Sequence, residues 1–360
     1  MDTNNKVIVI AEAGVNHNGS LERAFEMIDV AADAEADYVK FQSFRADHLV
    51  TKTAAKAEYQ KVQTNSQQTQ YDMLKALELD NTMHQKILER CGEKGIAFLS
   101  TPFDHLNVNY LVEDCGLSLL KISSGDLTNP LILLEAARTN KKIIISTGMA
   151  TMSEIENALS VLAFGYLNKD EQPSRDAFRV AWMSKIGRDA VKQNVVILHC
   201  TTEYPTPFQD VNLNAMRSIY EAFGVPVGYS DHTLGTAISI AAVALGAVVI
   251  EKHFTLDKSL DGPDHAASLE PDELNSLVSG IRAVEHGMGS TVKVPAESEV
   301  KNIAIARKSL VASAPIAKGT EFTDENITIK RPGTGLDPMM YWEMIGNKAE
   351  QDYLEDQVII

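Results

Sequence analysis

Short apolar runs rich in β-branched residues recur along the chain, and each closes on a polar or glycine cluster. They are VIVIAEAG from Val7, YVKFQS from Tyr38, IAFLSTPFD from Ile96, LLKISSGD from Leu119, KIIISTGM from Lys142, VVILHCTTEY from Val195, VPVGYSDHT from Val225 and AVVIEKHFT from Ala247. Between them lie amphipathic stretches such as 21–34, 81–94 and 154–163, with apolar residues at helical spacing. Eight alternations of strand and helix predict an α/β fold, a (β/α)8 TIM barrel.

Two stretches break the rhythm. Residues 165–194 are longer and more charged than a barrel connection needs and predict one extra helix around 176–192. After Ser290 the texture changes to short strand-like runs with glycine and proline punctuation. The expected plan is a barrel over 1–290, a linker over 291–301 and a small β-rich domain over 302–360.

With 360 residues and 44% hydrophobic content, the chain can bury one barrel-sized core and still leave a small module. A formal net charge of -16 argues against nucleic acid or an anionic membrane as partner, since either needs a basic surface. The three cysteines, Cys91, Cys115 and Cys200, form no CxxC pair, which points to a reducing cytoplasm and not to a disulfide framework or a thiolate zinc site. The start, MDTNNK, runs into a strand with no basic segment or cleavage site, and no apolar run reaches membrane-spanning length. A cytoplasmic protein is expected.

In a (β/α)8 barrel the site is built where the strands end, and these runs carry their polar residues there. Turn formation accounts for glycine and serine at those ends, but not for Lys40, Lys121, His232 and His253. His232 and His253 end the last two strands, which are neighbours in a closed barrel, so two imidazoles can share one divalent ion with oxygen ligands. Glu12, ending the first strand, is placed to add a carboxylate or to orient an imidazole. Lys40 and Lys121 sit among apolar residues, where a charge needs an anionic partner. With the hydroxyls of Thr101, Ser124, Ser146 and Ser230 they suit a phosphate plus a carboxylate. The alternative is that one lysine snorkels outward or forms a Schiff base. Asp264, behind a Gly-Pro turn, is a candidate for sugar hydroxyls or proton transfer, and Tyr204 and Asp126 are further candidates. Arg331, in the C-terminal segment, is either a surface charge or a clamp. A metal-dependent barrel aldolase or isomerase would use similar histidines.

The motifs IAEAGVNHNGS, VKFQSF, STPFD, KISSGD, STGMAT, LHCTTEYPTP, GYSDHT, EKHFT and GPDH, in this order over nearly the whole chain, resemble the sialic acid synthase family. The segment from RKSLVA to KRPGTG resembles its antifreeze-like (SAF) domain. The resemblance implies condensation of phosphoenolpyruvate with an N-acetylated amino sugar, a divalent metal, typically Mn2+ with Mg2+ or Co2+ as alternatives, and a domain-swapped homodimer in which Arg331 serves the partner's barrel. His232 and His253 match the metal positions. Lys40, Thr101, Lys121, Ser124, Ser146 and Ser230 match positions around phosphoenolpyruvate. Glu12, Gln42, Asn65, Tyr204, Asp264 and Arg331 match sugar and catalytic positions. Asp126 departs from the usual glutamate by one methylene, and Thr202 stands where synthases using N-acetylmannosamine often carry asparagine. KAEYQK, QTQYDMLKALELD, HCTTEYPTP and HAASLEP are most similar to the N,N'-diacetyllegionaminate branch, whose acceptor is 2,4-diacetamido-2,4,6-trideoxymannose, and an N-acetylneuraminate synthase using N-acetylmannosamine is the alternative.

Overall fold

A computed structural model describes residues 6–64, 68–167 and 170–360. The chain divides after Gly289 into two compact units, and the first holds an eight-stranded parallel sheet. Its strands are β1 (Ile8–Gly14), β2 (Tyr38–Ser43), β3 (Ala97–Pro102), β4 (Leu119–Ile122), β5 (Lys142–Ser146), β6 (Val195–His199), β7 (Val227–Asp231) and β8 (Val249–His253). They pair in the order β3-β2-β1-β8-β7-β6-β5-β4, and β3 and β4 lie side by side to complete the ring. The expected barrel is therefore observed.

Local chemistry explains the surrounding helices. In Leu21–Asp33, the buried residues Ala24, Met27, Ile28 and Ala31 follow helical spacing, and the Ser20 side chain caps the N-terminus by accepting from the Arg23 amide. Asn81–Lys94 starts on an Asp80 cap and stops at Gly95, whose left-handed φ of 71° favours glycine. Pro130–Arg138 combines an Asn129 cap with proline in the first turn.

Lys252 points away from the barrel axis yet is buried. Its ammonium pairs with Asp231 at 3.0 Å, and Asp231 also accepts from Thr233 and Ser239. This pair joins β7 and β8 behind the polar residues at the barrel mouth.

The single helix expected around 176–192 is two helices, Arg175–Met183 and Lys185–Asn194. Ser184 ends the first and caps the second, its hydroxyl accepting from the Gly187 amide at 2.9 Å. A Cβ at Gly187 would stand 2.0 Å from the Ala181 carbonyl oxygen, so the sharp corner depends on glycine there.

The connection from β2 to β3 is a larger excursion, with helices Ala46–Leu49, Glu58–Gln63 and Gln70–Leu77. Val15, Phe44, Met73 and Leu77 form an apolar cluster of their own, with Leu49, Leu74 and Phe103 packed against it.

In the second unit, β9 (Ser309–Ala312) pairs antiparallel with β10 (Ile327–Lys330). Leu310, Ile316, Phe322, Ile327, Tyr353 and Ile359 contribute to a separate core. A helix over Glu297–Ala306 occupies the end of the stretch expected as linker. Its first turn carries Glu297 and Glu299, which complement the helix dipole.

Candidate active site

Register brings the charged residues of the strand ends together. Glu12 lies opposite Lys40 on β2 and opposite His253 on β8, while Ser230 lies opposite Glu251. Side chains two apart on a strand share a face, so Lys40 with Gln42, and Glu251 with His253, point into the barrel mouth. Just beyond Glu12 the β1–β2 register slips at Gly14, whose φ is 54°. A Cβ there would sit 3.2 Å from the His253 ring and 3.3 Å from the Glu12 carboxylate, so glycine lets the chain turn between them.

Two lysines and two glutamates form the floor. Lys40 Nζ is 2.7 Å from Glu12 Oε2 and 3.6 Å from Glu251 Oε2, and donates to Thr101 Oγ1 at 2.9 Å. Lys121 Nζ is 3.1 Å from Glu251 Oε1, which also accepts from Ser230 Oγ at 2.9 Å. Gln42 Nε2 donates to Glu12 Oε1 at 3.4 Å. All four charged groups are buried. Burial pushes the Glu12 carboxyl up to about 7, against the pull of Lys40. Burial works the same way on Glu251, but Lys121 and Lys40 overcome it and hold that carboxyl low, at about 2. Burial lowers Lys121 in spite of Glu251, whereas Glu12 and Glu251 together outweigh burial and raise Lys40.

The histidines stand beside this floor, with ring centroids 5.7 Å apart and the Tyr204 ring against both, 4.1 Å from His232 and 5.6 Å from His253. His232 Nδ1 lies 2.6 Å from the Thr201 carbonyl oxygen, which only accepts, so this nitrogen carries the proton and Nε2 keeps its lone pair. His253 Nδ1 is buried without a hydrogen-bond partner. Burial drives His232 down to about 4, and burial together with His232 and Lys40 takes His253 well below the ordinary imidazole range. Both rings are neutral at pH 7. Among the described residues no group of three or more His, Cys, Asp or Glu gathers to hold a metal.

Hydroxyls line the opposite side. Ser124 Oγ accepts from the Gly148 amide at 2.9 Å and lies 3.2 Å from the buried Cys200 thiol. Ser146 Oγ and Thr202 Oγ1 are buried without partners. A Cβ at Gly148 would stand 2.1 Å from Thr202 Oγ1, so this close approach of the backbone also requires glycine.

These residues enclose a cavity of 370 Å³. Of the residues expected from sequence, Glu12, Lys40, Gln42, Thr101, Lys121, Ser124, Ser146, Tyr204, Ser230, His232, His253 and Asp264 line it. Asp264 is buried, and burial pushes its carboxyl up to about 6. Asp126 stands apart from the cavity wall: its carboxylate turns back on its own loop and accepts from Ser123 Oγ at 2.7 Å and Asn129 Nδ2 at 3.2 Å. Aspartate is short enough to close that ring of contacts. Arg331 belongs to the second unit, where its Nε donates to the Ala306 carbonyl at 3.0 Å. Asn65 lies outside the described residues. Sequence reasoning missed Glu251, although a residue two before a candidate ligand histidine shares its face, and that spacing was available as a signal.

Residues 27–293 match the NeuB family and residues 307–359 the SAF domain. The chain belongs to the NeuB family. It is 49% identical to N,N'-diacetyllegionaminic acid synthase of Campylobacter jejuni, covering 98% of this chain and 99% of that one. It is 42% identical to the protein of the same name from Legionella pneumophila, covering 96% of this chain and 90% of the relative. Among solved structures, an N-acetylneuraminic acid synthetase from Leptospira borgpetersenii is 34% identical with a TM-score of 0.68, over 83% of this chain and 91% of that one. These matches agree with the expected family, and the SAF match agrees with the expected second module.

Proposed function

We propose that this NeuB-family protein condenses phosphoenolpyruvate with 2,4-diacetamido-2,4,6-trideoxymannose and water, giving N,N'-diacetyllegionaminate and phosphate. The observation that carries this reading is the buried floor of two lysines beside two neutral histidines at the mouth of a barrel. The acceptor follows from similarity to the legionaminic acid synthases.

Lys40 and Lys121 are the cations that receive the phosphate and carboxylate of phosphoenolpyruvate, and Ser124, Ser146, Thr101 and Ser230 offer hydroxyls to the same anion. Two lysines buried against two glutamates are pre-positioned, so binding does not have to order them. His232 and His253 fit a divalent metal: both are neutral, His232 offers an Nε2 lone pair fixed by its Nδ1–H bond, and His253 has an orphaned ring nitrogen. When bound, such an ion supplies Lewis-acid polarisation of the sugar aldehyde, and Mn2+ is the proposed metal. C3 of phosphoenolpyruvate bonds to the aldehyde carbon as the aldehyde C=O π bond opens, its oxygen becomes an alkoxide that ends protonated by the proton released from the added water, and C2 becomes cationic in character. Glu12, with its carboxyl raised to about 7, takes the proton of the water that adds at C2, and Asp264, also raised by burial, is a further carboxylate on the cavity wall in addition to the ion-paired Glu251. The resulting tetrahedral centre loses phosphate by C–O cleavage. Gln42 and Tyr204 orient the acceptor. Asn65, and Arg331 supplied across a domain-swapped homodimer, complete the proposed sugar-binding set, and the protein is proposed to work in the cytoplasm.

Phosphoenolpyruvate labelled with 18O at the bridging oxygen tests the chemistry. The label is expected in the released phosphate. Label retained in the nonulosonate would require P–O cleavage and overturn the scheme.

A further inference from the structure

The cavity has two chemically different halves. Its charged groups come from the barrel strands and the loops that follow them, whereas Leu49, Val50, Met73, Leu74 and Leu77 come from the β2–β3 excursion and are joined by Phe103. Met73 and Leu77 belong to the separate apolar cluster, and Leu49, Leu74 and Phe103 pack on it while still facing the cavity. This wall therefore rests on a small core of its own. Two glutamines of the same excursion, Gln60 and Gln70, also line the cavity.

We propose that the β2–β3 excursion is the acceptor-selecting wall, with Leu49 and Leu74 reading the apolar substituents at the far end of the sugar. The inference rests on the condensation proposed above. The aldehyde carbon must meet phosphoenolpyruvate at the lysines, so carbons 4 to 6 extend away from the strand ends, toward the excursion. The two candidate acceptors differ there: one carries an acetamido group at C4 and a methyl at C6, the other hydroxyls at both. A methyl against leucine gains by leaving water, whereas a hydroxyl there gives up its water and finds no partner on an aliphatic surface. Such a difference is worth roughly 10- to 200-fold in kcat/KM. Asp126, withdrawn onto Ser123 and Asn129, does not contribute to this selection directly.

The test compares kcat/KM for 2,4-diacetamido-2,4,6-trideoxymannose and for N-acetylmannosamine in the full-length protein, in Leu74→Asn and in Leu49→Asn. The wild-type protein is expected to prefer the trideoxy sugar. In each variant the preference should fall about tenfold, through the sugar KM, with the KM for phosphoenolpyruvate held within about twofold. Leu49 and Leu74 rest on one apolar cluster, so each variant's thermal unfolding is read alongside, and a defect of that cluster would slow both sugars equally instead of shifting the preference. Equal losses for the two sugars, or an unchanged preference, would overturn the wall while leaving the condensation intact. A wild-type protein that releases no phosphate with either sugar, or prefers N-acetylmannosamine, fails the proposed function itself and removes the basis for the wall.

Discussion

Asp264 lies 8% exposed in the cavity wall, and desolvation alone raises its carboxyl from 3.8 to about 6. Below pH 3.8 the group is protonated in both the folded and unfolded chain. As pH rises from there to 6 the unfolded chain ionises first, so the fold loses stability, and above 6 the full cost is present. At about 1.4 kcal/mol per pH unit this cost is ~3 kcal/mol. Asp264→Asn should therefore raise the melting temperature at pH 7.5 and give little gain at pH 4, measured by thermal unfolding without substrates. A gain that is equal at both pH values would show that ionisation of Asp264 is not what strains the fold. The residues behind this site were unevenly legible. His232 and His253 stood out because each closes an apolar run where a turn residue would serve, and Lys40 and Lys121 because each interrupts an apolar strand with a charge. Glu251 was hidden between Ile250 and Lys252, where an adjacent Glu-Lys pair reads as ordinary surface charge, yet the strand sends the two side chains to opposite faces and buries both.

The eight strands were legible because a buried parallel strand has to be apolar along its length, and the polar residues that close each run mark the end that carries the site. The corner at Ser184 was not, because SKIGRD continues the amphipathic pattern, and only the close approach of Gly187 to the Ala181 carbonyl reveals the turn. The apolar wall of the β2–β3 excursion was hidden for a related reason. Met73, Leu74 and Leu77 have helical spacing, and nothing in that spacing tells a core face from a cavity face. The Asp231–Lys252 pair is a tie between elements: it joins β7 and β8 away from the mouth and is closed by Thr233 and Ser239. Lys252→Met should cost about 3–5 kcal/mol in urea unfolding, because Asp231 is left buried without its cation. The double variant with Asp231→Leu should recover much of the loss. A single variant as stable as the wild type would mean that the pair does not tie the strands together.

Over the whole molecule, the barrel gathers groups from all eight strands or the loops behind them, which is why the site residues are scattered through the sequence and still meet in one cavity. The change of texture near Ser290 was visible because the second unit has its own short strands and its own small core, whereas the helix over Glu297–Ala306 was not foreseen in a stretch that reads as a connector. The strongly acidic balance of the chain, -16 overall, leaves Lys40 and Lys121, each paired with a glutamate on the cavity floor, as the cations placed to meet an anionic substrate. Phosphate release from phosphoenolpyruvate, followed with Mn2+ present and again after chelation, tests that reading most directly. One phosphate per nonulosonate is expected, only when a sugar acceptor is also present and fastest with 2,4-diacetamido-2,4,6-trideoxymannose, and none after the metal is removed. Phosphate released without a sugar, or at the same rate after chelation, would contradict it.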